Sequence, residues 1–237
     1  MNQLANLTPT QQLRAPRLGF RLAQLTVGLV LYGVSLGMMV ESHLGLDPWD
    51  VLHDGLARRL PLTFGSVVIV TGALVLLLWR PLRQMPGLGT VANVLVIGVA
   101  SDLALLALEQ PSSLGGRWSL LLGGLGLNAV AGGLYIGAQL GPGPRDGLMT
   151  GLVRRTGWSV RVVRTAIELT VLAAGFLLGG AVGFGTVLYA LAIGPLLQLF
   201  LPLFVVPLTP QRRARDGYGE WLAAYRPTCP DAFVRSW

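Results

Sequence analysis

Residues 44–59 read LGLDPWDVLHDGLARR, and residues 140–155, which lie 96 positions later, read LGPGPRDGLMTGLVRR. Nine of the sixteen aligned positions are identical. The same offset also pairs GLGTV at 87–91 with GFGTV at 183–187, and Gly98 with Gly194, without a gap. Similarity at a fixed spacing indicates an internal duplication. The chain is therefore expected to contain two copies of one structural unit.

The composition is that of a membrane protein. The 237 residues are 52% hydrophobic and only 12% charged, with a mean hydropathy of +0.61, whereas a soluble domain carries about 25% charged residues. All eighteen basic residues are arginine, and the net charge is +7. Basic residues in a membrane protein usually mark the cytoplasmic side, so nucleic acid is not expected as a partner. A single cysteine, Cys229, excludes an intrachain disulfide and a cysteine-rich metal or cluster site.

Six apolar segments predict six transmembrane helices, three in each copy, and each is long enough to cross a hydrocarbon core of about 30 Å. The predicted class is an all-α polytopic membrane protein with four parts: an N-terminal segment (1–19), two membrane repeats (20–110 and 111–206) and a C-terminal tail (207–237). A short helix is expected after the first span of each repeat. The predicted spans lie near 20–40, 62–79, 88–108, 118–140, 160–182 and 184–206.

An odd number of spans per copy predicts that the two repeats are inverted in the membrane. The distribution of arginine tests this arrangement independently. Fifteen arginines fall on the side of the N-terminus, and only Arg58, Arg59 and Arg117 fall on the other. The bias places both termini in the cytoplasm.

Small residues and tryptophans indicate how the helices pack. Glycines four residues apart allow helix backbones to approach closely, and we expect them to form contacts within one chain: Gly33 with Gly37, Gly133 with Gly137, and Gly175 with Gly179. Tryptophans near the ends of predicted spans are expected to be anchors at the membrane interface: Trp79, Trp118 and Trp158.

The duplicated stretch has the pattern of a helix start. Asp47 is a suitable N-cap, Pro48 fits the first helical position, and Asp50 at the third position can reach back as in a capping box. In the second copy, Pro144 and Asp146 keep these positions. Both short helices are expected to run about ten residues to an Arg-Arg pair, which complements the helix dipole. Structural roles at this site are assigned to Gly45, Pro48, Gly141 and Pro144.

Two interpretations of these short helices remain open. They are either amphipathic helices at the membrane surface or re-entrant half-helices, one from each side, whose N-termini meet near the midplane and line a polar cavity. The repetition of Gly, Pro and Asp in register on both faces favours the re-entrant interpretation.

Charged residues inside predicted spans are further candidates, because each costs roughly 2.5–3.5 kcal/mol on insertion scales. Glu168 lies one turn after Arg164, either as a neutralised pair or in a cavity. Asp102 corresponds to Gln198 in the second copy, and this pair either joins helices or lines the cavity. Trp49 either packs or stacks on a planar ligand, and His53 either supports the helix start or joins a proton-coupling site. The substrate- or ion-binding candidates are Asp47, Trp49, Asp50, His53, Asp102, Arg145, Asp146, Arg164, Glu168 and Gln198.

Enzymatic chemistry has no support in the sequence. The chain contains no GxSxG, HExxH, CxxC or phosphate-loop pattern. We therefore predict that the protein is not an enzyme and uses no cofactor and no metal.

Several motifs make the chain similar to the YczE-like family of bacterial integral membrane proteins and, more distantly, to the YitT group. They are GLDPWDVLHDGL at 45–56, GLGT at 87–90, GPGPRDGLMTGLVRRTGWSV at 141–160, VRTAIEL at 163–169, and GFGT with AIGPLLQ at 183–198. The resemblance covers residues 20–205. It implies a multi-span inner-membrane protein without an established activity. Family members tend to be encoded near pyridoxal-phosphate-binding regulators of the MocR type, which implies a vitamin-like or amino compound.

The leading functional expectation is a transporter of a small polar metabolite that works by alternating access, with its site between the inverted repeats. A coupling ion or proton is expected at Asp50 or Asp146. Because these carboxylates offset the attraction of helix N-termini for anions, the substrate is a zwitterion or cation as readily as an anion. The alternatives are a non-transporting membrane scaffold or regulatory partner, and a passive channel. Expected partners are the lipid bilayer and a small molecule, and the oligomeric state is left open.

Overall fold

The computed structural model describes residues 7–208, so most of the tail predicted at 207–237 lies outside the described residues. All regular elements within this range are α-helices. Six long helices fall where spans were predicted, and both expected short helices are present. The helices are α1 (Pro9–Arg14), α2 (Leu18–Ser42), α3 (Pro48–Ala57), α4 (Phe64–Trp79), α5 (Leu88–Ala107), α6 (Leu114–Gly137), α7 (Pro144–Thr156), α8 (Val160–Leu177) and α9 (Phe184–Phe204).

Four of the described helices are long and apolar enough to cross a membrane, namely α2, α5, α6 and α9. Helix α4 is apolar but has only 16 residues. Helix α8 ends at Leu177, earlier than the predicted limit of 182, and carries Arg161, Arg164 and Glu168. Together with the apolar composition, these helices define a polytopic α-helical membrane protein.

The centre of the bundle is the pair α2 and α6, which packs against α5 on one side and α9 on the other. A Cβ at Gly33 or Gly37 would collide with α5, and a Cβ at Gly133 or Gly137 would be very close to α9. The predicted close packing within one chain is thus confirmed for these four glycines. Apolar helices without a hydrophobic driving force between them associate through such close backbone approach.

A buried arginine joins the first two helices to the end of α6. Arg21 is fully buried, and its guanidinium donates to the carbonyls of Gln12 (2.7 Å), Ala138 (2.8 Å) and Gln139 (2.7 Å). The last carbonyls of a helix have no partner within the helix. The charge that the sequence assigned to the cytoplasmic side therefore has a structural role at the end of α6.

The two copies of the duplicated sequence are hydrogen-bonded to each other. The Gly185 N–H donates to the Leu44 carbonyl at 2.7 Å, and the Gly89 N–H donates to the Leu140 carbonyl at 2.8 Å. Gly89 and Gly185 are 96 residues apart, as are Leu44 and Leu140. Each copy of the loop before a short helix thus contacts the GxGT segment of the other copy.

The loops at these contacts have no room for a Cβ atom at Gly45 or Gly141. Gly45 has φ +115° and Gly141 has φ +126°, a region that residues with a Cβ rarely adopt. A Cβ at Gly45 would also meet the backbone of Gly183 at 2.7 Å, and one at Gly141 would meet the Thr90 hydroxyl at 2.8 Å. Close approach of the two copies explains why both glycines are retained in the repeat.

A glycine lies at the contact of each short helix with a long helix of the other repeat. A Cβ at Gly175 of α8 would meet the backbone of Val51 and Leu52 in α3, whereas a Cβ at Gly147 of α7 would meet the Trp79 ring of α4. Val51 and Gly147 are equivalent positions in the repeat, as are Trp79 and Gly175. The missing side chain thus admits helix backbone at one contact and an indole at the other, which keeps both contacts filled.

Only part of the tryptophan prediction agrees with the structure. Trp79 is 1% exposed, and its Nε1 donates to the Pro144 carbonyl at 3.1 Å. The prediction of an interfacial anchor was wrong for this residue, because Gly147 leaves room for the indole inside the bundle. Trp158 is 59% exposed, and Trp118 is half-buried against Phe184.

Candidate functional site

The first short helix begins as the sequence predicts. The Asp47 side chain accepts a hydrogen bond from the Asp50 N–H at 2.8 Å, and Pro48 occupies the first helical position. The capping-box role of Asp50 is wrong, because its carboxylate turns towards His53 and lies 3.0 Å from Nδ1. Asp47 is 1% exposed and Asp50 is not exposed. The start of α3 therefore places two carboxylates inside the protein.

The second short helix has a different cap. Gly143 at the N-cap provides no side-chain hydrogen bond, and Asp146 accepts one from the Tyr135 hydroxyl at 3.1 Å. The helix runs thirteen residues to Thr156, longer than the ten predicted. It ends at Gly157, whose φ of +72° suits a glycine at a helix C-terminus.

The N-termini of the two short helices meet inside the bundle. Arg145 donates through Nη1 to Asp47 Oδ2 at 3.2 Å, and its Nη2 lies 3.6 Å from Asp50 Oδ1. The guanidinium carbon lies 5.2 Å from the centroid of the Trp49 ring, within the range of a cation–π interaction. Trp49 and Arg145 are equivalent positions in the repeat, so the two copies contact each other at matching residues.

A set of polar side chains on the long helices is linked to the second short helix through Tyr135, whose hydroxyl donates to Asp146. The Tyr32 and Tyr135 rings meet edge to face with centroids 6.0 Å apart. The Tyr189 hydroxyl donates to Asn128 Oδ1 at 3.0 Å, and Asn128 Nδ2 donates to the Ser35 hydroxyl at 2.9 Å. We call the following residues the central cluster: Asp47, Trp49, Asp50, His53, Tyr135, Arg145 and Asp146.

The central cluster contains hydrogen-bond acceptors that are not used. Asp50 Oδ2 and His53 Nε2 are buried and have no hydrogen-bond partner among residues 7–208. If Nδ1–H donates to the Asp50 carboxylate, as the short contact favours, then His53 Nε2 carries a lone pair. The cluster has three carboxylates but one guanidinium. Its chemistry therefore favours a ligand that donates hydrogen bonds and carries positive charge.

Two predicted candidates lie elsewhere and do not share a role. Asp102 accepts from the Thr63 hydroxyl at 2.6 Å and from the Gly65 N–H at 2.7 Å. Its carboxylate thus joins α5 to the start of α4, which is the helix-linking alternative. The equivalent residue Gln198 is exposed on α9. Asp102 and Gln198 therefore differ in their exposure and contacts although they occupy equivalent positions in the repeat.

Arg164 and Glu168 form the predicted ion pair along α8. Arg164 Nε lies 2.9 Å from Glu168 Oε1, and the two side chains are 43% and 37% exposed. The pair is therefore not part of the buried contacts of the central cluster. Helix α8 nevertheless packs against both short helices, α3 and α7, so the pair lies on a helix that borders the cluster.

Sequence reasoning missed two polar residues. Tyr135 binds Asp146, but the equivalent of Tyr135 is Met39, so the duplication gave no signal. Asp54 accepts from the Ala181 N–H at 2.8 Å and pairs with Arg58 at 3.0 Å. It could have been noticed as an acid four residues before a base on one helix face.

The fold and this interior cluster define a polytopic α-helical membrane protein with charged side chains buried between two short helices. The chain belongs to a family of unknown function (DUF6198), whose profile matches residues 19–202. The resemblance to YczE-like proteins is thereby confirmed.

Similar proteins have been recorded in two bacteria. The chain is 40% identical over 181 residues to an uncharacterized protein of Haemophilus influenzae, covering 74% of this chain and 83% of that protein. It is 36% identical over 177 residues to the uncharacterized membrane protein YczE of Bacillus subtilis, covering 74% and 82%. It is 25% identical over 181 residues to the uncharacterized protein YyaS of the same organism, covering 75% and 90%. No solved structure matches the chain.

Proposed function

We propose that this protein is a transporter of a small metabolite that carries a cationic group, and that it works by alternating access around the central cluster. The observation that carries this proposal is the contact between the two short-helix N-termini through Arg145 and Asp47. Membrane transporters commonly bind their substrates between inverted repeats, at the ends of discontinuous helices.

In the proposed membrane arrangement, α2, α4, α5, α6, α8 and α9 span a bacterial inner membrane as two inverted repeats, with both termini in the cytoplasm. The reciprocal bonds between Leu44 and Gly185 and between Leu140 and Gly89 support a two-fold relation between the repeats. Re-entrant short helices are favoured over surface helices because Asp47 and Asp50 are almost completely buried. A helix lying on the membrane surface would keep such carboxylates in water.

The charge balance of the central cluster determines the proposed substrate class. Asp47, Asp50 and Asp146 face one guanidinium, and a buried charge without a partner is strongly unfavourable. An ammonium or amidinium group would supply positive charge and donate to the unused acceptors Asp50 Oδ2 and His53 Nε2. A proton could replace the substrate at the same carboxylates, which would couple transport to a proton gradient.

The experiment is an untargeted comparison of metabolite uptake and efflux in cells with and without the protein. We expect a reproducible difference in an amine or a zwitterion, with saturable flux. Asp50→Asn should reduce this flux at least tenfold, because it removes the charge that faces the substrate. Glu109→Gln, which changes an exposed carboxylate away from the cluster, is the matched control.

Three results would count against the proposal. If uptake and efflux of every solute are the same in cells with and without the protein, the transport proposal is wrong. If Asp50→Asn and Arg164→Gln leave a cellular phenotype of the protein intact, a scaffold or regulatory partner explains it better. If the flux does not saturate and does not respond to a proton gradient, the protein is a channel.

A further inference from the structure

The two halves of the bundle differ at one pair of equivalent helices. Helix α4 packs against α5, whereas the equivalent helices α8 and α9 have no comparable contact in the described structure. Gly98 shows the contrast at one position, because a Cβ there would collide with Gly65 and Ile69 of α4. At the equivalent Gly194, a Cβ would meet no described atom within 4 Å.

A side-chain contact joins the start of α4 to α5. The Asp102 carboxylate of α5 accepts from Thr63 and from the Gly65 N–H at the start of α4, so it satisfies free donors of a neighbouring helix. The equivalent residues Thr63 and Ser159 cap α4 and α8 in the same way, so the halves do not differ there. They differ at the residue equivalent to Asp102, because Gln198 is exposed on α9.

The side chains at equivalent positions of α8 and α4 also differ in their exposure. Arg164 and Glu168 of α8 are 43% and 37% exposed. Their equivalents in α4 are Val68, which is 8% exposed, and Gly72, where a Cβ would lie 3.1 Å from the Val94 side chain. An ion pair facing lipid would be costly, and ionisable residues in membrane helices usually face protein or a water-filled cavity. The half-exposed ion pair is therefore the pattern expected where a helix face contacts water rather than lipid.

We propose that the cleft between α8 and α9 is the aqueous path to the central cluster, and that Asp102 is the latch that holds the opposite path, between α4 and α5, closed. The path leads to the cluster because α8 packs against both short helices, α3 and α7, whose N-termini carry the cluster. The inference rests on the proposed transport function. In alternating access the Asp102 latch releases α4 from α5 when the other side closes, and substrate then exchanges on the far side of the membrane.

Cysteine labelling in membranes tests the path. Each variant is made in a Cys229→Ser background and treated with a charged methanethiosulfonate reagent, which reacts only with thiols in contact with water. Arg164→Cys and Val68→Cys occupy equivalent positions in the two halves. Leu191→Cys, on an exposed apolar face of α9, is the control for a side chain that faces lipid. We expect labelling at position 164 at least tenfold faster than at positions 68 and 191.

The latch is tested by adding Asp102→Ala to the same variants. Removal of the carboxylate should raise the labelling rate at position 68 at least threefold and lower the rate at position 164. Asp102→Asn keeps an oxygen that can accept from the Gly65 N–H, so it should lie between Asp102→Ala and the parent. The elution profiles of the Asp102→Ala and Asp102→Asn variants in size-exclusion chromatography show whether each retains the folded state.

Each outcome has a definite meaning. If position 164 is as unreactive as position 191, then α8 faces lipid and the path is wrong. If Asp102→Ala folds but does not change labelling at position 68, then Asp102 is only a helix cap and the latch is wrong. These readouts need no transported solute. The latch proposal can therefore be disproved although transport is observed. Conversely, the labelling rates can change as expected although no transported solute is found.

Discussion

At the residue scale, the decisive contact is a single arginine between two aspartates of the other repeat. Arg145 lies at the second position of α7, and its guanidinium reaches Asp47 and Asp50 at the start of α3. Each short helix alone would present only a modest partial charge at its N-terminus. The central cluster therefore forms only where the two copies meet, and its excess of carboxylates over guanidinium groups arises from both copies together.

This contact predicts a stability effect with a specific rescue. Arg145→Met should lower the free energy of unfolding by roughly 2–3 kcal/mol, because it leaves buried carboxylates without a counter-charge. The value is below that of a fully buried pair because the Arg145 side chain is 31% exposed. Thermal unfolding in detergent provides the measurement. Adding Asp47→Asn should recover part of the loss, and a double variant as unstable as the sum of the two single variants would contradict the charge explanation.

At the element scale, a glycine makes room at one contact of each short helix. Gly175 of α8 lets the backbone of α3 approach, and Gly147 of α7 leaves space for the Trp79 ring. A side chain added at either glycine would therefore enter space that the neighbouring helix already fills.

The contact between Gly147 and Trp79 predicts that substitutions at these two positions are coupled. Gly147→Val should destabilise strongly, since the new side chain meets the Trp79 ring, and Trp79→Gly should cost roughly 3–5 kcal/mol by leaving a cavity. In the double variant the valine side chain enters the space that the indole leaves. We expect it to be more stable than the sum of the single effects by about 1 kcal/mol or more. Unfolding of all three variants under one condition measures the coupling, and strict additivity would contradict the shared packing of the two residues.

The loop contact between the copies gives a separate prediction. Gly45→Ala should destabilise by about 2 kcal/mol or more, because it combines a backbone conformation at φ +115° with a collision against Gly183. Gly179→Ala is the matched control, since Gly179 has φ +91° but no described atom within 4 Å of an added Cβ. Melting temperatures compare the two. An equal loss would mean that backbone strain alone accounts for the effect.

At the scale of the whole molecule, we propose that the two repeats are inverted in the membrane and that both termini lie in the cytoplasm. The natural Cys229 offers a direct test without mutation. In intact cells an impermeant maleimide should leave Cys229 unlabelled and should label it after permeabilisation. Leu60→Cys in a Cys229→Ser background, at an exposed position between α3 and α4, should be labelled in intact cells. Labelling of Cys229 from outside would overturn the topology.

The sequence by itself determined the membrane class, the positions of the long and short helices, and the Asp47 and Pro48 helix start. These features follow from local composition and from a repeat that is visible at a fixed offset. It could not determine that Trp79 is buried, that Asp50 turns towards His53, or that Arg145 pairs across the copies. Those outcomes depend on which helices are neighbours.

The duplicated stretch illustrates the same division. Its spacing of Gly, Pro and Asp was sufficient to predict two short helices that begin alike, because capping is a local interaction. Residues at equivalent positions of the repeat need not have equivalent surroundings. Asp102 lies where α5 packs against α4, whereas Gln198 is exposed on α9, which has no comparable contact with α8. The meeting of the two N-termini was decided only in the tertiary structure, since it brings together residues 98 positions apart on different helices.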